Sequence, residues 1–221
     1  MADSKKIPLT EFIKEVKTIV HGTTVTTNAV LTYNGAKTGL LTTKGLRDAL
    51  EMRRGIREEQ YNNRFTNVTP LVPRYLRLPI EERLDYKGDV LIPLKESEVK
   101  ESLGKLKKEN IEAIAVCFIN SFANKEHEVK AANLVKEHLP GAYLTVSSEL
   151  LPSIRFYDRI STTVLNSYVG PILRGYLSSL TKKLKDIGFK GVLLIMQSNG
   201  GVISPEIATK TAAATLLSGP A

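Results

Sequence analysis

The sequence predicts an α/β architecture with a sheet that is at least partly parallel. Three observations carry this expectation. Helical and extended patterns alternate along most of the chain, the rhythm of β-α-β units. Residues 111–119 are a continuous apolar run, as expected of a strand buried on both faces. The chain has 221 residues, 42% of them hydrophobic, enough to bury a core in one or two domains.

Along the chain, 9–17 reads as a helix, 18–21 as a strand and 26–33 as a helix. Residues 38–42 are short, apolar and β-branched, hence a strand. A helix over 46–52 follows the Lys44-Gly45 entry. The segment 53–83 differs: Asn62-Asn63, Pro70, Pro73 and Pro79 interrupt it and periodicity is weak, so a long loop is expected. A hairpin over 82–94 turns at Lys87-Gly88-Asp89.

Val99, Leu103 and Leu106 give 96–108 a helical period, and 125–138 is a helix stopped by Pro140-Gly141. Residues 143–147 form another strand. After Pro152 the rhythm changes. Two helices, 157–169 and 171–187, are expected to meet at Gly170-Pro171, with proline at the first helical position and Gly188 as the C-cap. A buried-type strand over 192–196 runs into Gln197-Ser198-Asn199-Gly200-Gly201. The domain reading is 1–150 followed by 151–221.

Composition narrows the function class. The formal charge is +8, but Lys95, Lys100, Lys105, Lys107 and Lys108 alternate with Glu96, Glu98, Glu101 and Glu109. That is a solvated helix face rather than a nucleic-acid footprint, and no nucleic-acid motif accompanies it. A basic surface can still attract anionic substrates or an acidic partner. No apolar run approaches the roughly 18 residues of a membrane span. The first six residues do not resemble a secretory signal. Cys117 is the only cysteine, which excludes an internal disulfide and fits a cytoplasmic location. In a buried strand it reads as a small hydrophobe, not a nucleophile. His127 and His138 lie on a charged helix and are expected to be exposed. No His, Cys, Asp or Glu set has metal-ligand spacing, so no metal site is expected. No nucleophile–His–acid set stands out either.

Three polar segments interrupt the apolar pattern. His21-Gly22-Thr23-Thr24-Val25-Thr26-Thr27-Asn28 joins a strand to a helix start, where glycine permits close approach and free N–H groups suit an anion. An ordinary imidazole titrates near neutrality, so His21 suits proton transfer, whereas a hydrogen-bonded core histidine is the plainer reading. Thr23, Thr24 and Asn28 either contact a ligand or cap the helix, a contribution of roughly 0.5–2 kcal/mol. The loop Gln197–Gly201 follows a strand's C-terminal end, where α/β folds place ligands, although a simple turn would look the same. The sequence stops at Leu216-Leu217-Ser218-Gly219-Pro220-Ala221 as though in mid-turn, which reads as a fragment of a longer domain.

These segments, with several others in order, resemble the hydantoinase A/5-oxoprolinase family, which includes ATP-dependent ketone carboxylase subunits. The matching pieces are His21-Gly22-Thr23-Thr24 with Thr27-Asn28-Ala29, Thr38-Gly39-Leu40-Leu41-Thr42-Thr43-Lys44-Gly45 with Arg47-Asp48, and Ala115-Val116-Cys117. Ser121-Phe122-Ala123-Asn124, Glu126-His127-Glu128, Leu150-Leu151-Pro152-Ser153-Ile154-Arg155 and Ser161-Thr162-Thr163-Val164 continue the series. Met196-Gln197-Ser198-Asn199-Gly200-Gly201 and Leu216-Leu217-Ser218-Gly219-Pro220-Ala221 complete it.

The resemblance implies an actin-like (ribonuclease H-like) ATPase fold that uses ATP and Mg²⁺ to phosphorylate a carbonyl oxygen. Ketone carboxylation or hydrolytic opening of a cyclic amide such as a hydantoin or 5-oxoproline would follow. It implies a hydantoinase B-type partner subunit and a hetero-oligomer, with no nucleic acid or membrane involved. The chemistry of the residues, read beside this resemblance, puts His21, Thr23 and Thr24 in catalysis, and Asn28, Arg53, Arg54, Arg57, Gln197, Ser198 and Asn199 at the substrate, as expectations. Gly200, Gly201, Ser218 and Gly219 fall to the cofactor.

The run from Arg53 to Phe65 looks most like the ketone carboxylase branch. Its guanidinium forks suit bicarbonate, carboxyphosphate or a phosphorylated enol, and a loop with internal salt bridges is the alternative. The family's first phosphate hairpin, of Asp-Gly-Gly-Thr type, belongs upstream of His21, but residues 1–20 contain no glycine. The second belongs beyond Ala221. The expectation is therefore that the chain alone does not hold nucleotide, and the alternative to an enzyme part is a non-catalytic interaction module.

Overall fold

The computed structural model describes residues 8–55 and 58–218, with the side chains of residues 9 and 10 left aside. The elements in chain order are α1 (Leu9–Glu15), β1 (Thr18–His21), α2 (Val25–Leu31), β2 (Thr38–Thr43) and α3 (Ala49–Met52). A 3-10 turn at Arg74–Leu76 leads into β3 (Arg77–Ile80), then β4 (Arg83–Leu84) and β5 (Val90–Ile92). Next come α4 (Glu96–Lys108), β6 (Ala113–Cys117), α5 (Glu126–His138), β7 (Tyr143–Val146) and α6 (Ser147–Leu150). The long α7 (Phe156–Asp186), β8 (Val192–Met196), β9 (Val202–Ile203), α8 (Pro205–Ala208) and a second 3-10 turn, Ala212–Thr215, follow.

The chain divides into two compact units, Met1–Gly35 with Val169–Ala221, and Ala36–Tyr168. The division falls within α7. The larger unit is built on a four-stranded sheet of order β3-β2-β6-β7 whose neighbours all pair in parallel. Every residue of β2 and β6 is buried, as two-sided cover requires. Leu40, Leu41, Ile114, Val116, Val99, Leu103, Leu106, Val135 and Val164 form its core. The hairpin of β4 and β5 stands apart as a two-stranded antiparallel sheet, turning at Gly88 as expected.

The smaller unit carries the sheet β1-β8-β9, with β1 and β8 parallel and β9 antiparallel to β8. Gly191 makes this pairing possible. A Cβ there would meet the Lys17 carbonyl oxygen at 2.3 Å, and the next residue, Val192, donates its N–H to that same oxygen at 2.9 Å. Leu193 and Ile195 of β8 are buried, as are Val169, Leu173 and Leu177 of α7.

Four expectations from sequence are corrected. The segment 53–83 is not loop throughout. It contains β3, a sheet-edge strand in which Pro79 is tolerated because an edge residue need not donate on its outer side. The two helices expected around Gly170-Pro171 are one helix with Pro171 inside it. Proline removes one helical N–H, but buried Val164, Tyr168, Val169, Leu173 and Leu177 anchor the helix before and after it. His127 is 2% exposed rather than solvated, because α5 turns it inward with Glu128, Ala131 and Val135. His138 is half-buried, its Nδ1 3.0 Å from the Leu134 carbonyl oxygen.

Candidate functional site

The site is assembled in the smaller unit from two strand ends. β1 and β8 run in register, His21 opposite Ile195, so the turns that follow them emerge at the same C-terminal edge. That edge is where open α/β sheets bind ligands. The first turn carries Gly22, Thr23 and Thr24 into α2, and the second is Gln197–Gly201 leading into β9. A third segment, 212–218, is bonded to both.

Thr26, Thr27 and the Thr23 carbonyl hold that third segment. Thr24 is the N-cap residue of α2, yet its side chain makes no cap bond. Thr26 Oγ1 lies 3.0 Å from Thr215 Oγ1, both fully buried. Leu217 donates its N–H to Thr27 Oγ1 at 2.9 Å, and the Ser218 hydroxyl donates to the Thr23 carbonyl oxygen at 3.3 Å. From the other turn, Ser198 donates its N–H to the Ala214 carbonyl oxygen at 2.8 Å, and its hydroxyl bonds the carbonyl oxygens of Ala214 and Leu216. Gly22 faces the Ser218 carbonyl oxygen closely, since a Cβ would meet it at 3.4 Å.

His21 ends β1 half-buried. Its Nε2 lies 2.7 Å from the hydroxyl of Tyr176 on α7, and the two rings stack at 5.8 Å with 25° between planes. Tyr176 is a site residue that sequence reading missed: it lies 155 residues away, inside a helix with no motif around it. Thr23 is buried and its hydroxyl accepts the Val25 N–H at 3.3 Å, while Thr24 and Asn28 are exposed and bond each other at 3.4 Å.

The glycine-rich turn engages its own donors. Gln197 donates its N–H to the Gly201 carbonyl oxygen at 2.8 Å, Gly200 to Gln197 at 3.1 Å, and Gly201 to Asn199 Oδ1 at 2.9 Å. Gly200 adopts φ 82°, which a side chain would oppose. Ser198, Gly200, Gly201, Leu217 and Ser218 therefore all have N–H groups already bonded within the chain.

The arginines belong to the larger unit. Arg53 pairs with Glu58 at 2.6 Å and is also hydrogen-bonded to Tyr157. Both contacts, Glu58 first, hold its guanidinium more firmly protonated than usual. Its backbone lies at φ 54°, ψ −130°, a region that costs about 1–3 kcal/mol for a residue other than glycine. Its buried Nη1 has no partner among the described residues. Arg54 donates through Nη2 and Nε to Asp158 Oδ1 at 2.6 and 3.2 Å. Arg57 and Gly219 lie outside the described residues.

The same larger unit holds polar residues that sequence reading did not group. At the C-terminal ends of β2 and β6, Thr43 accepts the Ile119 N–H at 2.8 Å and donates to buried Glu82, whose other oxygen is 2.8 Å from His127 Nδ1. Glu128 accepts the N–H groups of Phe118 and Ser148, each at 2.8 Å, and the Ser147 hydroxyl at 2.6 Å. Arg159 Nη1 reaches the Phe118 carbonyl oxygen and Ser147 Oγ, each at 2.7 Å, and lies 3.7 Å from Glu128. Burial pushes the neighbouring Cys117 thiol up to about 12, so the sulfur stays protonated and unreactive at neutral pH. Among the described residues no helix is long and apolar enough to cross a membrane, and no three or more His, Cys, Asp or Glu side chains group as metal ligands do.

Comparison with known proteins agrees with this geometry. The hydantoinase/oxoprolinase N-terminal region matches residues 2–139, and the hydantoinase/oxoprolinase family matches 159–221. An uncharacterised protein of Methanocaldococcus jannaschii is 36% identical over 96% of the chain and 31% of its own length. Caprolactamase subunit alpha of Pseudomonas jessenii is 33% identical over 96% and 31%. The crystal structure of that organism's ATP-dependent caprolactamase superposes with a TM-score of 0.93 at 32% identity, covering 99% of this chain and 32% of that one. The nucleotide-free structure of acetone carboxylase gives a TM-score of 0.89 at 28% identity, with 99% and 32% covered. The chain thus spans about a third of the length of the relatives it matches, and its α/β architecture is part of the actin-like ATPase fold. With a family match across 2–139, well over half of its residues, the chain belongs to the hydantoinase/oxoprolinase family.

Proposed function

We propose that this chain supplies the substrate side of an ATP-dependent enzyme that activates a carbonyl oxygen. The product would be either an opened cyclic amide or a carboxylated ketone. The observation that carries this reading is the meeting of His21, the Gln197–Gly201 turn and segment 212–218 at one edge of the parallel β1–β8 pair. Relatives named for lactam hydrolysis and for ketone carboxylation differ little in identity to this chain, 33% against 30%, so both substrate classes stay in play.

In this reading His21, with Thr23 and Thr24 around it, contacts the reacting carbonyl. Asn28, Gln197, Ser198 and Asn199 position the substrate, and Arg53, Arg54 and Arg57 bind an oxyanion. ATP and Mg²⁺ are expected in the complete enzyme, with a hydantoinase B-type subunit as partner in a cytoplasmic hetero-oligomer. The residues at hand do not fit a nucleotide-phosphate cradle, because the N–H groups of Gly200, Gly201 and Ser218 already have partners.

The test is a coupled ATPase assay on the complete protein with its partner subunit, comparing lactams, hydantoins and 5-oxoproline with ketones plus bicarbonate. Turnover dependent on one class supports the reading, and ATP use indifferent to all of them removes it. His21→Ala should lower turnover at least tenfold; near-normal turnover would take His21 out of the chemistry. A non-catalytic module is the second reading, favoured by how many of the Thr and Ser groups in these turns bond within the chain. Titration of the 221-residue chain with ATP should show no micromolar binding.

A further inference from the structure

We infer that Tyr176 is a positioning residue that fixes the tautomer of His21, making the neutral imidazole a hydrogen-bond donor through Nδ1 rather than a base. This rests on the proposed placement of His21 beside the reacting carbonyl. The bond to Tyr176 uses Nε2, at 2.7 Å. A phenol is a far stronger acid than a neutral imidazole N–H, so the Tyr176 hydroxyl donates and Nε2 accepts. That distance sits at the short end for N–H···O and is ordinary for a hydroxyl donor. The proton of neutral His21 then resides on Nδ1.

Nδ1 has no hydrogen-bond partner among the described residues. The ring also stacks on Tyr176, with centroids 5.8 Å apart and 25° between planes. Tyr176 itself is carried by a 31-residue helix whose neighbouring Leu173 and Leu177 are buried. A second group that holds one imidazole nitrogen sets what the other nitrogen can do. With Nε2 held, Nδ1 offers its N–H to an electronegative atom, which polarises a carbonyl oxygen and gives no help in removing a proton. His21 thus changes from the proton-transfer group suggested by its residue type to an electrophilic donor aimed at oxygen.

The measurement is long-range ¹H–¹⁵N correlation on the histidine-labelled 221-residue chain above the imidazole titration. Three histidines are present, and a His21→Gln sample assigns the signals. The expected wild-type pattern is pyridine-like Nε2 and protonated Nδ1. Tyr176→Phe should move the population toward Nε2–H, the form that an unconstrained histidine side chain prefers. A wild-type spectrum with Nε2 protonated overturns the inference even if the variant fails to fold. So does a folded Tyr176→Phe chain with unchanged tautomer.

In the complete enzyme Tyr176→Phe should lower kcat about tenfold with KM little changed. Loss of activity in His21→Ala with an Nε2–H wild-type spectrum would leave the proposed function standing and sink only this inference. An Nδ1–H spectrum with fully active His21→Ala would do the reverse.

Discussion

The two units treat the same topological position in opposite ways. In the larger unit the C-terminal ends of β2, β6 and β7 open onto Glu82, His127, Glu128, Ser147 and Arg159, all at most 2% exposed. The space a ligand would take is filled by the chain's own charged groups. In the smaller unit the C-terminal ends of β1 and β8 open onto turns held mainly by hydroxyl-to-backbone bonds. Their groups include half-buried His21 and exposed Ser198 and Asn199. A parallel-sheet edge marks a place for a ligand only where side chains have not already closed it. Charge at a strand end is therefore no guide here, and the better discriminator is which polar groups remain partly open.

The largest effect should come from breaking the closed edge. Arg159→Leu leaves Glu128 fully buried without its cation and strips donors from Phe118 and Ser147. Removing one partner of a buried pair costs about 3–5 kcal/mol, which a urea unfolding midpoint reads directly. A loss below about 1 kcal/mol would mean that Glu128 is neutralised by its three hydrogen-bond donors alone, and that the edge is less strictly closed than described.

Much of the fold was legible because periodicity reports burial. α4 and β8 match the sequence reading residue for residue, and β6 lies inside the apolar run at 111–119. β3 was not legible, since Pro73 and Pro79 read as loop until the edge position of the strand is known. The continuity of α7 was hidden for a related reason: local proline chemistry argues for a break, and only buried residues before and after Pro171 show why none occurs. His127 had a readable signal that charge obscured. Positions 127, 128, 131, 132, 134 and 135 form one helical stripe, and all are buried. The grouping of His21 with segment 212–218 follows from β1–β8 pairing, which joins residues about 170 apart by register alone.

The second test titrates the closed edge instead of mutating its ion pair. Cys117 ionises in the unfolded chain near the ordinary thiol value of 9.0, but burial holds it protonated in the folded chain up to about 12. Between those values the unfolded state holds fewer protons, so stability falls as pH rises, by up to about 1.4 kcal/mol per pH unit from this group. The contribution is fully present below pH 9. Cys117→Ala removes that slope, so the stability difference between wild type and variant should shift in the variant's favour from pH 9 to 11. Parallel curves would show a thiol open to solvent.

The open edge should respond less. Thr26→Val keeps the shape but deletes the buried bond to Thr215, whose hydroxyl retains the Ala212 carbonyl oxygen at 2.8 Å. A loss of about 1 kcal/mol is expected. Faster amide exchange at Leu216–Ser218 should accompany it if Thr26 steadies this segment. Uniform exchange across the smaller unit would instead mark Thr26 as a general core residue.

Arg54→Ala should be the smallest structural perturbation and the most informative about the arginines. The Arg54 side chain is 57% exposed, and its partner Asp158 is 27% exposed. Asp158 holds the guanidinium firmly protonated, chiefly by hydrogen bonding. Such exposed pairs contribute little to stability, and less still in salt, so the unfolding midpoint should barely move. Activity separates the two readings of the cluster. If Arg54 binds an oxyanion, Arg54→Ala in the complete enzyme raises KM for the anionic co-substrate several-fold, and Arg54→Lys recovers only part of the loss because an ammonium cannot form the planar fork. If KM and stability both stay put, the pair with Asp158 is a solvated surface contact, and the substrate groups left in this chain are those around the open β1–β8 edge.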